Sequence, residues 1–148
     1  MEQRRQRAQE IVNNYVMASA GTALIPLPIV DLVGLTALQL RMLERLTQLY
    51  GLPFNEQLGK ATLSALISAA LPVMAKPLVV GSLAKSLPGL GSVVGSATTV
   101  ALGGTFTYAS GQVFIQHFES GKTLGRFSSV DHCRFFRQTL RTKQRGSC

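Results

Sequence analysis

At 148 residues the chain has room for one domain and one core, and too little for a catalytic domain with a separate regulatory one. Fifteen Lys and Arg against seven Asp and Glu give a net charge of +8, yet only 15% of residues are charged and the mean hydropathy is +0.22. That balance excludes intrinsic disorder and points to membrane contact or burial against a partner, while two cysteines, Cys133 and Cys148, exclude a disulfide scaffold and a multi-cysteine metal site.

The first predicted element runs from Glu2 to about Ala18: Ala8, Ile11, Val12, Tyr15 and Val16 recur at helical spacing opposite the arginines. The basic start is not followed by an apolar run with a small-residue cleavage site, so it does not read as a signal peptide. Gly21 and Ile25-Pro26-Leu27-Pro28 predict a turn, since proline lacks a backbone donor and pushes the preceding residue toward an extended conformation. From Asp31 to Tyr50, Leu32, Leu35, Leu38, Met42, Leu46 and Leu49 form a stripe opposite Arg41, Glu44, Arg45 and Gln48, and Gly51 closes the helix. Asp31 would complement the helix N-terminus.

Asn55 is a predicted N-cap for a helix through Leu58, Leu63, Leu66 and Ile67 to about Leu71. Pro72 and Pro77 would break the apolar stretch from Ala61 to Leu83 into two pieces, each short of the roughly 20 residues a simple membrane crossing needs. Ser86-Leu87-Pro88-Gly89-Leu90-Gly91 is turn chemistry, followed by one long helix from Val93 to about Phe118. There Gly91, Gly95, Thr99 and Gly103 fall at steps of four, a small-residue seam of the kind that lets two helices pack closely; Gly103-Gly104 and Gly111 each cost about 1 kcal/mol of helix propensity relative to alanine. Ser128-Ser129 then cap a last basic amphipathic helix to about Thr142, and Gly146-Ser147-Cys148 is a tail. With no long alternating run and no internal repeat, the fold class is all-α: a bundle of five or six helices with a central glycine-rich hydrophobic hairpin, in a single domain over 1–148.

No catalytic, cofactor or metal constellation assembles from these residues. Gly121-Lys122-Thr123 looks like the end of a phosphate-binding loop, but Gln116 stands where its first glycine belongs and a helix precedes it. Gly89, Gly91 and Gly95 miss the dinucleotide fingerprint by one position. His117, His132 and Cys133 lack ligand spacing, and solvent-facing or interfacial positions are expected for them. Basic clusters at both ends, with no Lys, Arg, Asp or Glu between Ser86 and Phe118, suit an anionic membrane surface better than a nucleic acid, for which the aromatics are not interleaved as stacking platforms. Two basic ends favour both termini on the cytoplasmic side.

Ile25-Pro26-Leu27-Pro28-Ile29-Val30-Asp31, Leu38-Gln39, Arg41-Met42-Leu43, Leu49-Tyr50-Gly51, Leu83 to Gly91, Thr107 to Gly111 and Phe118 to Lys122, in that order, resemble the DUF697 domain over roughly residues 10–125, with the basic C-terminal helix and tail at 126–148. The family is a bacterial domain of unknown function, sometimes fused to GTPase domains and related to predicted inner-membrane proteins. The resemblance implies a helical companion of a GTPase at a membrane, and carries over no catalytic residue. Expected, then, is a non-enzymatic membrane-associated module whose segments Ala61 to Leu83 and Val93 to Phe118 embed. Its partners would be the bilayer or its surface, a GTPase and a second copy, and its partner or packing positions Asp31, Gln39, Arg41, Arg45, Gly91, Gly95, Gly103 and Gly111. The alternative is a soluble adaptor in which the glycine-rich helix is buried core.

Overall fold

A computed structural model describes the backbone of residues 1–22, 28–84, 91–127 and 129–146, and the side chains among them except at 22, 28–32, 77–84, 91–99, 129–131, 133, 144 and 146. The turn expected over Ile25 to Leu27, the one before Gly91, the Ser128 cap and the terminal Ser147-Cys148 lie outside the described residues. In chain order the helices are α1 (Glu2–Thr22), α2 (Pro28–Leu49), α3 (Glu56–Ala84), α4 (Gly91–Glu119), a short 3-10 turn (Leu124–Arg126) and α5 (Ser129–Gly146). There is no strand among the described residues, and the architecture is the all-α bundle expected.

α1 continues four residues past the expected end, through Gly21, and α2 begins three residues before Asp31, at Pro28. Proline is well suited to that first helical position, where no intrahelical partner waits for the missing N–H. α2 ends in a Schellman arrangement: Gly51 takes φ +67°, its N–H donates to the Gln48 carbonyl at 3.1 Å, and the Leu52 N–H reaches back to Thr47 at 2.8 Å. Asn55 caps α3, its Oδ1 accepting the N–H groups of Gln57 at 2.9 Å and Leu58 at 3.2 Å.

The largest departure from expectation is α3, one helix of 29 residues running through both prolines. An interior proline costs about 3 kcal/mol because it removes a bond and crowds the carbonyl four residues back, so packing must compensate. On one side Leu63, Leu66, Ala69 and Ala70 are buried, and Arg137 of α5 ties the helix to its neighbour, its Nε donating to the Ala69 carbonyl at 3.1 Å. That carbonyl is next to the Ser68 carbonyl left without an intrahelical donor by Pro72.

α4 is the centre of the bundle and packs on all four other helices. From Leu102 to Phe118 it supplies Phe106, Ala109, Val113, Phe114, Ile115 and Phe118 to a core completed by Ala8 and Val12 of α1, Met42, Leu43 and Leu46 of α2, the buried side of α3, Leu124, and Phe136 and Leu140 of α5. α1 runs antiparallel to α4, with Val12 at Gly111 and Arg5 near Glu119, so the N-terminus, the α2–α3 connection and the α4–α5 connection share one end of the bundle. Charge follows the same axis. Asp31 is the sole charged residue between Glu10 and Arg41, and Lys76 and Lys85 the only two between Lys60 and Glu119.

Candidate functional site

The outer face of α3 is the feature a bundle alone does not explain. Surface helices ordinarily turn charged and polar residues to water. Here Ala61, Ser64, Ile67, Ser68, Leu71, Pro72 and Ala75 are all exposed, without a charge from Ala61 to Ala75, over about 21 Å at 1.5 Å per residue. Leu71 is 56% exposed and Ile67 40%. Single exposed leucines need no explanation, but a continuous uncharged strip does. The Ser68 hydroxyl is turned back into the helix, donating to the Ser64 carbonyl at 3.0 Å, so its donor is satisfied without water. Among the described residues α3 is the one helix long and apolar enough to cross a membrane, over Glu56–Lys76, with a third of that stretch buried in the bundle. Of the apolar residues through which the sequence predicts this helix, the structure buries Leu63 and Leu66 and exposes Leu58, Ile67 and Leu71.

α5 packs against α3. His132, Phe136 and Leu140 face the core, while Arg134, Gln138, Arg141 and Arg145, at spacings of four, three and four, share the opposite side and are exposed. Arg137 points across to α3, and the Lys143 ammonium sits 4.8 Å from the Tyr108 ring centroid. Salt bridges among the described residues join Lys60 to Glu56 and Arg5 to Glu119.

The remaining sequence-nominated positions divide. Arg41 and Arg45 are exposed on α2. Gln39 is buried: its Nε2 donates to Thr107 Oγ1 at 2.7 Å, and that hydroxyl donates to the Gly103 carbonyl at 2.9 Å, tying α2 to α4, while Gln39 Oε1 has no partner. At Gly103 an added Cβ would meet nothing within 4 Å, so no close helix approach is made there. At Gly111 the same atom would come within 2.5 Å and 2.6 Å of the Val12 methyls, the tightest approach at any described glycine. The side chain of Asp31 and the packing of Gly91 and Gly95 lie outside the described residues.

Of the two placements expected for the histidines, solvent-facing or interfacial, the structure rules out the first for both His117 and His132. His117 is fully buried and His132 is 8% exposed, because α4 and α5 converge across the turn between them. His117 Nε2 is 2.9 Å from the Thr123 carbonyl and its Nδ1 is 3.3 Å from His132 Nε2, with the Phe127 ring stacked on His132. A carbonyl only accepts, so His117 carries its proton on Nε2 and His132 donates to the free Nδ1. Burial first, then the neighbouring His132 and Lys122, holds the His117 pKa below the ordinary histidine range against the opposing pull of the Thr123 carbonyl. Gly121-Lys122-Thr123 falls in this turn: Gly121, at φ +74°, ends α4, its N–H donating to the Phe118 carbonyl at 3.0 Å. Glu119 faces Tyr50 and Arg5, away from the histidines, and among the described residues no three His, Cys, Asp or Glu are grouped to hold a metal.

The family profile described as "Domain of unknown function (DUF697)" matches residues 1–144. A relative, "Magnetosome membrane protein 22" of Magnetospirillum gryphiswaldense, is 32% identical over 131 residues, covering 88% of this chain and 67% of its own. No solved structure matches.

Proposed function

This chain belongs to the DUF697 family, and from that premise we propose that it is a non-enzymatic helical module that associates with a membrane. The observation that carries the reading is the uncharged exposed strip of α3 from Ala61 to Ala75, on a helix that packs against α5, whose outward side carries an arginine row. The relative named as a membrane protein supports it. Burial of α4 from Leu102 to Phe118 among four other helices argues against the expected insertion of Val93 to Phe118 as half of an embedded hairpin, since that face of the helix has no room for lipid. Association therefore works from the outside of a folded bundle on the cytoplasmic side. A GTPase partner enters this proposal through the family resemblance alone, and no feature of the described residues specifies one.

Fractionation of the untagged protein from its native cell tests the reading: it is expected in the membrane pellet. Recovery wholly in the soluble fraction would leave the alternative, an adaptor whose buried glycine-rich helix is core and whose α3 strip docks protein; the burial of α4 is the observation that favours it.

A further inference from the structure

α3 has the composition to cross a bilayer, but its neighbour does not. Arg137 bonds the Ala69 carbonyl inside the Glu56–Lys76 stretch, so α5 lies alongside α3 at the depth any crossing would occupy. Arg134 and Arg145 are about 17 Å apart along α5, more than half of a hydrocarbon layer roughly 30 Å thick. No upright placement of Glu56–Lys76 leaves Arg134, Arg141 and Arg145 all at headgroup level, and charged side chains held inside hydrocarbon are strongly disfavoured.

We infer that the α3–α5 flank docks in the plane of an anionic lipid bilayer and that α3 does not cross it. Ile67, Leu71, Pro72 and Ala75 press against the boundary between headgroups and acyl chains, and Arg134, Arg141 and Arg145 bind headgroup phosphates. Guanidinium groups suit that role, offering paired N–H donors to phosphate oxygens. An apolar strip on one helix and a cationic row on the helix packed against it combine the two features of elements that lie in a membrane interface. This inference rests on the membrane reading above and names the lipid and the orientation.

The experiment uses the full-length chain with vesicles of phosphatidylcholine alone or with 30% phosphatidylglycerol, at low and high salt. Binding is expected to the anionic vesicles and to weaken with salt. Replacing Arg134, Arg141 and Arg145 together by Ser should lower partitioning by about fivefold per arginine, roughly a hundredfold in all, with the thermal melt kept cooperative because all three are exposed. The chain has no tryptophan, so Ile67→Trp supplies a single probe near the middle of Glu56–Lys76. Lipids brominated close to the headgroup should quench it more than lipids brominated at the chain ends. Strongest quenching from the chain ends would mean that α3 crosses and would overturn the inference while leaving membrane association standing. Unchanged binding by the folded triple variant overturns it too, as does pelleting with native membranes that protease pretreatment of those membranes abolishes, which would assign the arginines to a protein. If the native protein never pellets and no vesicle binds it, the membrane reading fails with it.

Discussion

His117 shows how a residue that looks spare in sequence becomes structural. Buried and neutral, it holds the turn between α4 and α5 by bonding Thr123 on one side and His132 on the other. Above the ordinary histidine pKa of about 6.5 both folded and unfolded chains carry it uncharged. As pH falls below that value the unfolded chain takes up the proton first, because the native pKa is lowered, so stability declines toward acid by up to about 1.4 kcal/mol per pH unit until the native value is passed. Melting temperatures between pH 7.5 and 5 should fall for the native protein and fall less for His117→Gln, whose amide can still donate to Thr123. Gln39 offers a second test at this scale. Its unpartnered Oε1 is buried, so Gln39→Leu should cost less than about 1 kcal/mol or raise stability, whereas Gln39→Ala, which opens a cavity, should cost about 2 kcal/mol in denaturant titrations.

Between helices, the closest approach at a described glycine is the one the small-residue pattern located least directly. Steps of four from Gly91 reach Gly103, where space is open; two steps further, Gly111 meets Val12. Periodicity marks which residues share a side of a helix, but which of them a partner approaches depends on crossing angle and on where α1 lies, neither written in α4. Gly111→Ala should destabilise by about 1 to 3 kcal/mol, since both Val12 methyls stand where the new Cβ goes and a β-branched side chain has little freedom to turn aside. Val12→Ala in the same chain should return part of that loss, a non-additivity measurable by a double-mutant cycle. α3 carries the converse lesson. Local rules stop a helix at Pro72, yet α3 continues, with Arg137, 65 residues further along the chain, donating to the Ala69 carbonyl next to the broken rung. Arg137→Met, which keeps much of the length, should lower stability by about 1.5 to 3 kcal/mol.

At the scale of the whole chain, class and element order were legible from periodicity and turn chemistry: α2's stripe of Met42 and Leu46 is buried, Arg41 and Arg45 face out, and Gly51 and Asn55 do what their residue types suggest. The candidate site was legible only in half. The basic row of α5 could be read from spacing, but the exposure of Ile67 and Leu71 could not, because apolar residues at helical spacing look alike whether a neighbouring helix or nothing covers them. The central position of α4 has a further consequence, in the timing of synthesis. The 35 residues from Lys85 to Glu119 emerge after α3 is complete. At roughly 5 to 20 residues per second, α3 leaves the ribosome about two to seven seconds before the helix that buries its inner side. For that interval the charge-free stretch from Ala61 to Ala75 lacks the cover of α4 and α5 as well as bearing its outer strip, and whatever cellular factor screens nascent chains for such segments meets α3 before the bundle is complete.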